Sequence, residues 1–208
     1  MEPIVVWRRP AKRGPSTPLV VLLHGRGADE HDLIDLAADF PRAFAYASLR
    51  GPLALADGGF RWFEDRGVGR PVATSLRAAV AGVRTWVDGP DAAGYDRHRT
   101  FLLGFSAGMM TAGALVLDDP SRFAGAVLLS GAIALDAGPA TPGRLVGVPI
   151  FTARGTADTM IPPDLVLQTQ RYLRDRSGAA LTERTYPCEH NIVHREIGDI
   201  AAWFAERV

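Results

Sequence analysis

The residues best placed to do chemistry in this sequence are Gly104-Phe105-Ser106-Ala107-Gly108, a G-x-S-x-G set directly after an apolar run and directly before a helix-like stretch. A serine held in a sharp strand-to-helix turn presents its hydroxyl as a nucleophile. Such a turn closes only if the residues two positions either side are small, because strand and helix approach too closely for a larger side chain. Gly104 and Gly108 meet that demand. In a chain with 22 glycines the pentapeptide alone is weak; its placement carries the reading, against the alternative of a glycine-rich helix start capped by Ser106.

A serine hydroxyl needs a base within hydrogen-bonding reach and an acid to orient that base. Downstream of Ser106 the histidines are His190 and His194. His190 falls between the last strand-like run and the last helix and is preferred; His194 should lie one turn into that helix. For the acid, Asp158 follows the run Val148 to Ala153, and Asp136, after Ser130-Gly131, is the competitor; Asp158 also reads as a helix cap. An oxyanion formed at the attacked carbonyl needs two N–H donors. The Ala107 amide is one, and the glycine-flanked Arg26 amide in Leu22-Leu23-His24-Gly25-Arg26-Gly27 is the other, with His24 expected to brace that turn. Trp62 and Phe63 offer an apolar wall for an acyl or alcohol group, with plain packing as the alternative. Arg26, if its side chain points into the cleft, would favour polar or anionic substrates.

These motifs, Leu23-His24-Gly25-Arg26-Gly27-Ala28-Asp29, Gly104 to Gly108, Gly155-Thr156-Ala157-Asp158-Thr159-Met160-Ile161-Pro162 and Glu189-His190-Asn191-Ile192, together resemble the phospholipase/carboxylesterase family of α/β-hydrolases. The resemblance covers essentially the whole chain. It implies Ser106 as nucleophile, His190 as base and Asp158 as acid, with the Arg26 and Ala107 amides as the oxyanion hole. It also implies an α/β-hydrolase fold with a mostly parallel sheet, helices on both faces and no large cap. The expected activity is cleavage of carboxylic esters with short to medium acyl chains; a thioesterase or lysophospholipase of the same family is the alternative, and a binding protein on the same scaffold a more distant one. Three positions depart from the family's habit: Arg26 stands where an apolar residue is common, Ala107 where Gln is usual, and Glu189 where Gly usually precedes the histidine. The first two act through backbone groups and tolerate substitution.

The elements that must position these residues follow from periodicity. Short apolar runs alternate with amphipathic stretches, the pattern of an α/β chain with a mostly parallel sheet. Strands are expected at Ile4 to Arg8, Leu19 to Leu23, Ala43 to Ser48, Thr100 to Leu103, Ala124 to Leu129, Val148 to Ala153 and Ala180 to Tyr186. Helices are expected over about Glu30 to Phe40 with Asp29 as cap, Val72 to Val87 with Val72, Leu76, Val80, Val83 and Val87 on one face, after Ser106, over Pro163 to Ser177 ending at Gly178, and over Ile192 to Arg207. The Gly51 to Gly69 stretch is the longest connection without an evident element, and it should border the site.

Composition excludes other classes. With 208 residues the expectation is one domain spanning the chain, and 47% hydrophobic against 22% charged residues provides a core. Lys+Arg 23 against Asp+Glu 23 leaves no net field for nucleic acid. The single cysteine, Cys188, allows no internal disulfide, which suits a cytoplasmic setting, and it lies on the wrong side of the base to be a nucleophile. The uncharged stretch Thr100 to Leu117 reads as a buried strand feeding a buried helix rather than a membrane span. Asp29-Glu30-His31-Asp32 reads as an acidic first helix turn rather than a metal cluster. No cofactor or metal is called for; the expected partner is a small-molecule ester.

Overall fold

The computed structural model describes residues 3–207. Among the described residues nine strands form: β1 (Val5–Arg8), β2 (Leu19–Leu23), β3 (Ala45–Leu49), β4 (Leu53–Ala54), β5 (Phe60–Arg61), β6 (Thr100–Phe105), β7 (Gly125–Leu129), β8 (Pro149–Gly155) and β9 (Ala180–Tyr186). The α-helices are α1 (Ala73–Val87), α2 (Ala107–Asp118), α3 (Pro163–Arg171) and α4 (His194–Ala205). The main sheet has seven strands in the order β1-β3-β2-β6-β7-β8-β9; every pairing is parallel except β1 with β3. The two-residue strands β4 and β5 make a separate hairpin. This is the expected mostly parallel α/β architecture, without a large cap.

The central strands are buried along their whole length because both faces are covered. Alternation then sorts their side chains. Leu19, Val21 and Leu23 of β2 join α1, α2 and the turn after α3 in one core, while Val20 and Leu22 join Leu33, Phe40 and the Ile200, Trp203 and Phe204 face of α4 in the other. The uncharged Thr100 to Leu117 stretch is β6 running into α2, and among the described residues no helix is long and apolar enough to cross a membrane.

Strand ends shift by one or two residues and the β4–β5 hairpin appears in the stretch expected to hold no element; four further differences have a physical reason. The helix expected over Glu30 to Phe40 is only a 3-10 turn, Ile34–Ala38. Its acidic start is not a solvated first turn: Glu30 is 2% exposed and both of its carboxylate oxygens are taken by the Arg50 guanidinium. Asp29 Oδ1 accepts the His31 N–H at 2.8 Å, a local bond that competes with helix formation. Strand β6 runs two residues further than expected, to Phe105, which delivers Ser106 straight into α2. The helix expected over Pro163 to Ser177 is α-helical only to Arg171 (α3) and continues as a π-turn, Tyr172–Arg176, before Gly178 with φ 76°. Helix α4 begins at His194 rather than Ile192, leaving residues 187–193 as a loop.

Candidate active site

At the C-terminal end of β6 the chain turns abruptly into α2. Ser106 sits in that turn at φ 55°, ψ −115°, a conformation that costs energy for any residue with a side chain and persists only when its surroundings hold it. The Ser106 N–H donates to the Leu129 carbonyl of β7 at 2.9 Å. A Cβ on Gly104 would lie 2.3 Å from the Gly108 carbonyl oxygen, and one on Gly108 would lie 1.9 Å from the Leu23 carbonyl oxygen. Both glycines are therefore demanded by backbone against backbone, where no side chain can yield.

The structure brings Ser106, His190 and Asp158 into one hydrogen-bonded line. His190 Nε2 lies 2.9 Å from Ser106 Oγ, and its Nδ1 lies 2.8 Å from Asp158 Oδ2. The other Asp158 oxygen, Oδ1, accepts the Met160 N–H at 2.9 Å, so the carboxylate is fixed at both ends. Its side chain is 3% exposed and that of His190 is 19%, a contrast that leaves the imidazole reachable and its acid shielded. The Phe105 ring packs 5.0 Å from the imidazole centroid. Such a line can move a proton from the serine hydroxyl to the imidazole while the carboxylate holds the ring and favours its charged form. The competitors lie elsewhere: Asp136 is exposed on the loop after β7, and His194 is exposed at the first position of α4.

His24 sits behind the other proposed donor turn. It is fully buried, and burial lowers its pKa, so the ring is neutral. The Gly51 N–H donates to Nε2 at 2.9 Å, which places the ring proton on Nδ1, 2.7 Å from the Gly25 carbonyl oxygen. In a trans peptide the C=O and the following N–H point in opposite directions. Holding the Gly25 carbonyl toward the ring therefore aims the Arg26 N–H away from it. The next amides are occupied: Gly27 N–H donates to the Phe60 carbonyl at 2.9 Å and Ala28 N–H to the Gly25 carbonyl at 3.3 Å. On the facing side, the Ala107 N–H is the first amide of α2 and has no acceptor within its helix.

Trp62 and Phe63 are 2% and 5% exposed and belong to the core, so the packing alternative describes them better than a substrate-facing wall. The Trp62 indole N–H donates to the His24 carbonyl at 2.9 Å, which ties it to the same turn from behind. An apolar cleft of about 480 Å³ is lined by Leu49, Gly51, Phe60, Trp62 and Val83. The Arg26 side chain is drawn sideways, its Nε 3.8 Å from Asp65. Cys188 holds its loop through backbone: its carbonyl accepts the Ala157 N–H at 3.0 Å. Burial pushes the thiol pKa up, away from the thiolate a nucleophile needs.

The roles of three residues are not announced by the sequence. A Cβ on Gly155 would lie 2.2 Å from the carbonyl oxygens of both Cys188 and Glu189, so this glycine lets the His190 loop close on β8. A Cβ on Gly131 would lie 2.7 Å from the Ser106 carbonyl oxygen. Each is a glycine just at or past the end of an apolar strand run, the signal that could have found it. The third is Glu196, fully buried in the first turn of α4, with neither carboxylate oxygen in a well-formed hydrogen bond among the described residues. Burial, partly opposed by the Val193 amide and reinforced by the charge of Asp199, pushes its carboxyl up to about 7.

Comparison with known proteins follows the same lines. The profile of the Phospholipase/Carboxylesterase family matches residues 10–206. The crystal structure of the Bacillus cereus carboxylesterase superposes with a TM-score of 0.86 at 23% identity, covering 99% of this chain and 95% of that one. A carboxylesterase from Mesorhizobium loti gives a TM-score of 0.77 at 29% identity over 90% and 88% of the two chains. MhqD of Bacillus subtilis (strain 168) is 25% identical over 204 residues, 95% of this chain and 97% of its own.

Proposed function

The chain belongs to the phospholipase/carboxylesterase family of α/β-hydrolases, and from that premise we propose that it is a serine carboxylesterase acting on esters with short to medium acyl chains. The observation that carries the reading is the unbroken line from Ser106 Oγ through His190 to Asp158, at 2.9 and 2.8 Å, mounted on a strained turn. Ser106 Oγ attacks the ester carbonyl as His190 Nε2 takes its proton, and Asp158 stabilises the imidazolium that results. Negative charge gathers on the former carbonyl oxygen, where the Arg26 and Ala107 amides receive it. His190 then returns the proton to the departing alkoxide, leaving an acyl group on Ser106. Water, deprotonated by the same imidazole, attacks that acyl group; the acyl–Oγ bond breaks, His190 returns the proton to Ser106 Oγ, and the acid leaves. Nucleophile and proton carrier are both side chains, so the scheme calls on no cofactor. His24 serves it indirectly, by fixing the peptide that bears the Arg26 N–H.

The test is Ser106→Ala, which should abolish hydrolysis of p-nitrophenyl acetate and butyrate while the protein stays folded. Hydrolysis at the wild-type rate would discard the proposal.

A further inference from the structure

The apolar cleft of about 480 Å³ runs between α1 and the end of β3, with Phe60 of β5 and Trp62 in its wall, and none of Ser106, Asp158 and His190 lines it. Its volume falls in the usual range of small-molecule sites, about 300–1,000 Å³. Ala78 and Gly82 of α1 are exposed whereas Leu49 and Trp62 are buried, so the cleft opens to solvent along α1 and closes toward the sheet. Gly82 lies inside α1, where glycine is less favourable than any residue but proline. Its φ is not left-handed, and a Cβ built on it would meet nothing within 4 Å. Neither backbone nor packing requires this glycine; what its missing side chain leaves is room at the cleft.

The lining sets the class of molecule that fits. Among the described residues the one charged side chain lining the cleft is Arg50, and its guanidinium is taken by both carboxylate oxygens of Glu30 and lies 4.4 Å from the Phe60 ring centroid. An anion would have to draw that guanidinium away from an acid whose side chain is only 3% exposed. The Trp62 indole N–H already donates to the His24 carbonyl. What the cleft offers is apolar surface, and an uncharged apolar molecule gains by covering it.

Three of the same walls hold the turn after β2. The Gly51 N–H donates to His24 Nε2 at 2.9 Å, the Trp62 indole N–H to the His24 carbonyl at 2.9 Å, and Phe60 exchanges bonds of 2.9 Å with the Gly27 N–H and the Ala28 carbonyl. We propose that the cleft is a second ligand site, separate from Ser106, which takes an uncharged apolar molecule of one or two rings and braces the Arg26 turn through Gly51, Phe60 and Trp62. A ligand seated there supplies the contacts these walls lack toward the cleft. It thereby restrains the residues that fix the peptide bearing the Arg26 N–H. Binding stands on the cleft alone; its effect on turnover rests on the reading of Ser106 as an ester-cleaving nucleophile with the Arg26 amide as an oxyanion donor.

The probe is N-phenyl-1-naphthylamine, uncharged and fluorescent, titrated by energy transfer from the tryptophans beside its anionic counterpart 1-anilinonaphthalene-8-sulfonate. The uncharged probe should bind wild type saturably, with Kd on the order of 10 μM. The sulfonate should bind about tenfold more weakly, or worse. Helix side chains lean toward the N-terminus, so Gly82→Phe lays its ring over Ala78 and Ala79 and fills the opening, whereas Gly82→Ala leaves it open. Affinity for the uncharged probe should fall about tenfold or more in Gly82→Phe and stay within about twofold in Gly82→Ala. Saturating probe should raise kcat for p-nitrophenyl acetate about fivefold in wild type, the low end of ordinary coupling between sites, and leave Gly82→Phe unmoved. Absence of saturable binding to wild type, equal binding of the sulfonate, or undiminished binding in Gly82→Phe overturns the site. Binding as expected with kcat unmoved or lowered overturns the bracing. If wild type hydrolyses no ester, the ester-hydrolase reading fails, and the titrations still decide whether the site exists.

Discussion

The turn at Gly104 to Gly108 and the stretch from Gly51 to Pro71, which is tied to the turn after β2, are shaped by different physics. The first is set by close approach: two glycines, a strand end and a helix start leave the backbone almost one way to run. The second is set by partners far away in sequence. Gly51 is held by His24, Trp62 by the His24 carbonyl, Phe60 by Gly27 and Ala28, and the 65–71 hairpin by Arg26 and Asp164. A site built this way joins a rigid reaction centre to a border that can vary without disturbing it.

That contrast can be broken first at the turn. Gly108→Ala puts a Cβ 1.9 Å from the Leu23 carbonyl oxygen, and no flexible side chain is there to yield. The expected outcome is loss of the folded state or a fall in Tm of many degrees, read by thermal melting; a Tm near wild type would show that the approach is not a hard constraint.

The next effect falls where the two regions meet. His24→Ala removes the bond to the Gly25 carbonyl and the acceptor for Gly51. It should lower kcat about 10- to 100-fold with KM largely kept, less than the roughly 10²–10³ lost with a whole oxyanion donor. A lower Tm with kcat unchanged in the folded protein would leave His24 a packing residue only.

The smallest effect concerns stability at Glu196. Its folded pKa, about 7, lies above the ordinary carboxylate value, so the folded state holds a proton that the unfolded state has already released. The contribution of Glu196 to stability is therefore fully present at acid pH and is lost as pH rises through the window from the ordinary value to about 7. Glu196→Gln removes the ionisation. It should match wild type near pH 5 and be more stable at pH 8, by up to about 3 kcal/mol at roughly 1.4 kcal/mol per pH unit. Parallel pH profiles for the two proteins would contradict this.

Legibility in the sequence follows the same division. The seven strands of the main sheet, α1 and α2 are readable because apolar runs and glycine spacing are local signals, whereas the two-residue strands β4 and β5 carry no such run. The Glu30 to Phe40 segment was misread because Arg50, twenty positions on, draws Glu30 inward and leaves one 3-10 turn. Trp62 and Phe63 can line a site or fill the core on sequence grounds alone, and the fold buries both. Gly155 and Gly131 are required by the His190 loop and by the Ser106 carbonyl, neither of which is a sequence neighbour. The burial of Glu196 likewise depends on packing that its helical position does not announce.

The central claim is that Ser106 is the nucleophile of an ester hydrolase, and the most direct measurement is turnover of p-nitrophenyl acetate by Ser106→Ala beside wild type, with circular dichroism to confirm that both are folded. Wild type should turn over, and kcat in the variant should fall by about 10⁴ or more. A folded variant with wild-type kcat would contradict it.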